Sequence, residues 1–342
     1  MNFNSADCLN KVTFRFQILK TTIDSKLDLN WNFLDAQPMS THNINHNNEE
    51  CLDQPCKQVE MIIKPKERDL GGGFRVRRLL PYVKKRMVGP WIFFDQMGPA
   101  HLSSEDKFDV RPHPHINLAT VTYLFEGEVL HRDSLGNDEV IKPGEINLMV
   151  AGKGITHSER ERPELRDQSR KISGLQLWMA LPEKDEERDP SFHHYDKEEI
   201  PSLNVGSTPV RILIGSAYGQ TSPVKTFCET LYIEAKLKKG EQLKLPLSKE
   251  RALYVVSGQV KIENTKVEAH HMAILNEQSV SITATEDSFV AVIGGEPLSK
   301  RYIEWNFVSS KKERIEQAKI DWRAGNFPKV PGDSSEFIPL PK

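Results

Sequence analysis

From Val59 onward the chain is broken into short runs of β-branched and aromatic residues, punctuated by glycine, proline, asparagine or aspartate. The runs are about five to eight residues long and recur about every 8–12 residues, the rhythm of an all-β sandwich or barrel. A first series reads MIIKP (61–65), FRVRRLLP (74–81), WIFFDQ (91–96), TVTYLFEG (120–127), EVLHRD (128–133), INLMVAG (146–152) and LQLWMALP (175–182). DSLGND (133–138) and KPGE (142–145) supply turns within it. A second series, from VRILIGSA (210–217) to SFVAVIGG (288–295), repeats the order loosely, with SGQV echoing EGEV. Two copies of one β-barrel unit are therefore expected.

The segments around these series divide the rest. Residues 1–58 are rich in asparagine and show no sustained apolar period, so a flexible polar leader is expected. The first barrel is expected over 59–182, a charged, proline-bearing linker over 183–202 and the second barrel over 203–298. Within the remaining 299–342, SSKKERIEQAKIDWRAG (309–325) reads as a helix. Ser309 or Ser310 is expected to cap it, Ile315, Ala318, Ile320 and Trp322 to form its apolar side, and Gly325 to close it.

Composition excludes some classes of partner. A formal net charge of −2 gives no general reason to bind nucleic acid. Nine basic residues do lie between Lys64 and Arg86, against Glu67 and Asp69. They read as the solvated face of two edge strands, with an anionic or acidic-partner surface as the alternative. No run of about 18 apolar residues exists, so no membrane span is expected. VTFRFQILK (12–20), broken by Arg15, is no secretory core. Cys51 and Cys56 form an isolated C-x4-C, Cys8 and Cys228 stand apart, and a reducing cytoplasmic location is expected. Cys228 is expected to be a small buried residue.

The chemistry concentrates in two short stretches. In RPHPHINLATVTYLFEGE (111–128), His113 and His115 stand two apart and so share one face of a strand. Pro114 between them cannot donate to a ladder, which puts the pair at a strand start or sheet edge. Alone, such a pair reads as two rim histidines. AGKGITHSER (151–160) offers a second pair at the same spacing, His157 and Glu159. Three imidazoles and one carboxylate from two strands suit one divalent transition metal, whether Fe(II), Mn, Ni, Cu, Co or Zn. Gly152 and Gly154 allow close backbone approach, and GKGITH lacks phosphate-loop spacing. His131 falls on the neighbouring strand, either as a supporting partner or as a surface residue. The adjacent pairs His193–His194 and His270–His271 read as structural or exposed, and the second series carries no H-x-H.

HPHINLATVTYLFEGEVLHRDSLGNDEVIKPGEINLMVAGKGITHSE resembles the central signature of the pirin family, a branch of the cupin superfamily. VGPWIFFDQMGP (88–99), GLQLWMALP (174–182) and WNFVSSKKERIEQAKIDWRAGNFPKVPGD (305–333) are similar to pirin segments as well. The likeness covers about residues 60–342 and omits the leader. It implies an all-β bicupin: two stacked cupin β-barrels, a C-terminal helix, and a metal in the N-terminal barrel alone. It places the family's metal ligands on His113, His115, His157 and Glu159. Where many pirins carry Arg-Gly-Phe-Glu after the second histidine, this chain has Ile116, Asn117, Leu118 and Ala119, leaving Glu159 as the one carboxylate ligand.

The activity implied is that of a quercetin 2,3-dioxygenase. A flavonol, or a similar enol or phenol, would be held through its hydroxyl while Glu159, the catalytic residue, takes or steers the proton. Dioxygen would then cleave the ring with loss of carbon monoxide. Leu118, Val121, Leu148 and Val150 are expected to wall the site against water. The alternative implied by the family is an iron-binding, redox-sensing regulator that binds a protein partner without catalysis.

Overall fold

The computed structural model describes residues 57–69, 75–106 and 108–341; the expected leader lies, but for its last two residues, outside the described residues, as do Cys8, Cys51 and Cys56. The strands needed here are β1 (Val59–Ile63), β2 (Lys66–Asp69), β3 (Arg75–Leu80), β4 (Trp91–Leu102), β5 (Asp109–His115), β6 (Leu118–Glu126) and β7 (Val129–Asp133). They continue with β8 (Asp138–Ile141), β9 (Ile146–Val150), β10 (Ile155–Arg160), β11 (Arg170–Ala180), β12 (Ser191–Tyr195), β13 (Ser202–Val205) and β14 (Thr208–Ile214).

The first barrel faces a seven-stranded sheet, ordered β12-β9-β6-β11-β4-β3-β2, with a four-stranded one, ordered β5-β10-β7-β8. The second repeats the plan. Its larger sheet runs β1, Met272–Leu275, Glu250–Ser257, Ser288–Gly295, Thr230–Leu237, β14, β13. Its smaller sheet is built from Gln242–Lys244, Ser281–Ala284, Gln259–Ile262 and Thr265–Glu268. Every pairing between these strands is antiparallel, as short turns between successive strands require. The chain is thus an all-β bicupin with a C-terminal helix.

Two segments lie elsewhere than their sequence suggests. Ser191–Tyr195, inside the stretch read as a linker, is a strand paired with β9. Its charged flanks disguise it, while β9 would otherwise present an unpaired edge. Val59–Ile63, read as the opening of the first barrel, pairs instead with Met272–Leu275 of the second. Of the basic run, Arg77 donates to the Gly98 carbonyl, Arg78 pairs with Asp95 and Lys85 with Glu250, while Lys64, Lys66 and Arg68 remain exposed around edge strand β2.

The larger sheets pack face to face. Val121, Leu148, Leu175 and Leu177 from one meet Tyr232, Ala252, Tyr254, Ala291 and Ile293 from the other in one buried cluster. Trp91 is its largest fully buried side chain. Its indole Nε1 donates across the interface at 3.1 Å to the carbonyls of both Leu231 and Gly294, and its ring meets Tyr232 edge to face at 6.0 Å. Just before it, Gly89 adopts φ +55°, and a Cβ there would fall 2.7 Å from the Gly295 backbone nitrogen. The close approach requires glycine at that point. The second barrel's interior is filled by Val210, Ile212, Ile233, Leu253, Val255, Val290 and Val292.

The helix α1 (Lys312–Ala324) ends as expected at Gly325, in the left-handed region. Its start does not use a serine cap. Lys311 stands at the cap without a side-chain bond, because Ser309 and Ser310 both donate their hydroxyls to buried Glu186. Ile315 and Ala318 are buried, whereas Ile320 is 56% exposed, so the apolar side is narrower than expected. No helix among the described residues is long and apolar enough to cross a membrane.

Candidate metal centre

Strands β5 and β10 pair antiparallel with His157 directly opposite His113 and Ile155 opposite His115. A shift of register between His157 and Glu159 accommodates the extra residue of β5 around Arg111 and Pro112. The pair of histidines lies at the end of β5, an edge strand, where Pro112 and Pro114 cost no ladder bond. All three imidazoles then project into the first barrel. Their candidate ligand nitrogens lie within 4.8 Å of one another, and their ring centroids are 4.4–5.0 Å apart.

Each ring is held through Nδ1. His113 donates to the Arg111 carbonyl at 2.9 Å and His115 to the Asn306 carbonyl at 3.0 Å. His157 Nδ1 is 3.4 Å from His131 Nδ1 on β7. That arrangement leaves Nε2 as the lone-pair nitrogen on every ring. His157 Nε2 is buried and has no hydrogen-bond partner among the described residues, a state that buried polar atoms seldom tolerate. Burial pushes the His113 pKa down to about 4, against the carbonyl that favours its charged form. Burial, together with the neighbouring rings, carries His115 and His157 well below the usual range. At neutral pH all three are neutral, the state a metal ligand must have. The residues therefore fit a divalent transition metal.

Glu159 lines the same cavity, but its carboxylate lies outside the imidazole cluster. Its Oε1 accepts from Thr122 Oγ1 at 3.2 Å, and Thr122 Oγ1 is 2.9 Å from Gln176 Oε1. Burial raises the Glu159 pKa, opposed by His131 and the Thr122 hydroxyl.

The cavity encloses about 400 Å³. Its aromatic walls are Phe93, Phe108, Trp178 and Trp305, with Phe93 and Trp178 stacked at 3.9 Å. Val76, Met97, Val110 and Ile338 add apolar surface. Arg78 lies 4.4 Å above Phe93 and forks onto Asp95 at 2.8 and 2.7 Å. None of the four expected wall residues lines this space. Val121, Leu148 and Val150 point from β6 and β9 to the barrel–barrel interface, while Leu118 packs beneath Trp178 with Ile92 and Met149. Side chains alternate along a strand, so it is Thr122 of β6 that reaches Glu159.

Asn117, two residues past His115, takes φ 57° and turns the chain from one sheet to the other. Its Nδ2 donates to the Glu186 carbonyl at 2.6 Å. His194 bonds Asn147 and faces Glu145 and Asp196 at the half-exposed end of β12, a weaker grouping for a cation. His193 bonds Ser191, and His270 reaches Gln96 of the other barrel. Cys228 is a free, half-buried thiol whose pKa burial raises.

The C-terminal tail braces β5 and β10. Arg160 of β10 donates to both Asp333 oxygens at 2.6 and 2.7 Å, Ser158 donates to Asp333 at 2.7 Å, and Ile338 N–H donates to the Pro112 carbonyl. Burial would raise the Asp333 pKa, but the bonds from Arg160 and Ser158 more than offset it, so the net shift is downward. A carboxylate lowered on folding stabilises above its usual value of 3.8 and loses that contribution as pH falls through the folded value. Asp333→Asn is therefore expected to lower stability near neutrality by about 1.5–3 kcal/mol, the worth of a charged hydrogen bond. The gap to wild type should narrow as pH falls below the usual value of 3.8 and through the lowered folded value, in denaturant melts run across pH.

Residues 73–179 match the family described as Pirin, and residues 232–328 match the Pirin C-terminal cupin domain. A "Pirin-like protein" of Caulobacter vibrioides is 45% identical, covering 83% of this chain and all of that protein. "Pirin" of Homo sapiens is 32% identical over 78% of this chain and 92% of that protein. Among solved structures, the crystal structure described as quercetin 2,3-dioxygenase from Acinetobacter baumannii superposes with a TM-score of 0.77 at 29% identity. It covers 82% of this chain and 95% of that one.

Proposed function

The chain belongs to the pirin family, and from that footing we propose that it is a metal-dependent dioxygenase acting on a flavonol or a similar enol or phenol. The observation that carries the reading is the orphaned Nε2 of His157, converging with its two neighbours at the floor of an aromatic-walled cavity.

His113, His115 and His157 would hold the metal through Nε2, with Glu159 as the fourth ligand or as a base beside it. When bound, the metal supplies Lewis-acid polarisation of a substrate hydroxyl, and Fe(II) is the first candidate for the dioxygen chemistry. The chain's own residues do the rest. Trp178, Phe108 and Trp305 offer aromatic surface against which a polyphenol ring packs. Val76, Met97, Val110 and Ile338 shed water from that ring. Glu159, whose pKa burial raises, takes the hydroxyl proton on the carboxylate oxygen that Thr122 leaves free. The Arg78–Asp95 pair stands where outer hydroxyls of the substrate would lie.

Protein loaded with Fe(II) or Mn(II) is expected to bleach the absorption band of quercetin while consuming oxygen and releasing carbon monoxide. Metal-replete protein that leaves flavonol, oxygen and carbon monoxide unchanged would overturn the dioxygenase assignment.

A further inference from the structure

Two of the three imidazoles lean on backbone carbonyls, but His157 leans on a side chain. His157 Nδ1 and His131 Nδ1 are 3.4 Å apart. Two such nitrogens attract only if one carries a proton and the other a lone pair. The far nitrogen decides which. His131 Nε2 stands 3.2 Å from Asp133 Oδ2, and a carboxylate there accepts, so the His131 proton belongs on Nε2. Its Nδ1 is then an acceptor, the His157 proton belongs on Nδ1, and the His157 lone pair falls on the orphaned Nε2.

The array is built to stay in place. Asp133 is fully buried, and the Leu135 N–H, the Asn137 N–H and the Asn137 amide hold it. The His131 ring stacks on Phe192 of β12 at 4.5 Å with planes 12° apart, and His131 and His157 are 3% and 1% exposed. Cross-strand register explains the convergence: on β7, Asp133 lies opposite His157 and His131 opposite Glu159, all on the inward face.

We propose that His131 and Asp133 are positioning residues that fix the tautomer and orientation of His157 and so set how tightly this centre holds a divalent transition metal. The inference rests on the metal-centre reading above and assigns no contact between His131 and substrate. A carboxylate behind a ligand imidazole strengthens it as a donor, and removing such a partner weakens metal binding by about 10–100-fold.

The test uses the full chain, stripped with a chelator and titrated with Co(II), reading the visible absorption of the bound ion and its affinity by chelator competition. His131→Phe keeps the stack on Phe192 but cannot accept the His157 proton; it is expected to weaken Co(II) binding by about 10–100-fold and to shift the absorption. His131→Leu serves the same comparison should the phenylalanine variant misfold. His131→Gln can accept from His157 through Oε1 and donate to Asp133 through Nε2, and it is expected to restore most of the affinity. Near-wild-type affinity and spectrum in the phenylalanine and leucine variants would overturn the positioning role. So would a folded glutamine variant as weak as they are. Failure of the wild type itself to bind Co(II) would instead sink the metal centre, so the two failures are distinguishable.

Discussion

In the His157→Ala variant, bound transition metal is expected to fall from stoichiometric to background. The loss should exceed the about 10–100-fold that removing a ligand's supporting partner costs. His113 and His115 share one strand, so alanine at His157 removes the one imidazole that β10 contributes. Glu159→Ala should behave differently. It keeps the imidazole cluster intact, so metal content persists at reduced affinity while flavonol turnover drops by about 10²–10⁴-fold, the contribution of a general base. Elemental analysis beside oxygen uptake separates the two. If His157→Ala retains its metal, or Glu159→Ala retains full turnover, those assignments are wrong.

The second large effect concerns the joint between the barrels. Trp91→Ala is expected to destabilise the chain by about 3–5 kcal/mol, the usual cost of deleting a fully buried large aromatic side chain. Trp91→Phe fills most of the volume but cannot donate to Leu231 and Gly294, and should cost about 0.5–1.5 kcal/mol through the lost bond. Guanidinium unfolding followed by far-ultraviolet circular dichroism measures both. The alanine variant is also expected to broaden or split the transition, because Trp91 bonds directly to the second barrel. A midpoint unchanged from wild type would show that the interface does not depend on it.

What the sequence made legible was local. The H-x-H and H-x-E pairs could be read because strand period is two, a rule that needs no knowledge of the partner strand. The strand–turn rhythm likewise disclosed two barrels, and Gly325 marked the helix end. What stayed hidden depended on distance or on parity. Asn306, which tethers His115, lies 191 residues away and contributes only a backbone carbonyl, so no side chain advertises it. Thr122 and Gln176 touch Glu159 or each other only across strands. Val121 is expected from sequence to face the cavity, yet it packs in the barrel–barrel interface while its neighbour Thr122 bonds Glu159: apolar character says that a residue is buried, not on which of two buried faces. Ser309 and Ser310 looked like helix caps because their competitor, Glu186, is remote in sequence.

The ends of the described chain are crossed: β1 opens in the second barrel, and Asn306, near the close, reaches back to His115 in the first. Synthesis runs from one end to the other, so a nascent chain holds both strands of the cation pocket long before it holds the tether for one of them. The full set of partners around the three imidazoles therefore exists only in the finished polypeptide, and neither half, expressed as a fragment, carries it.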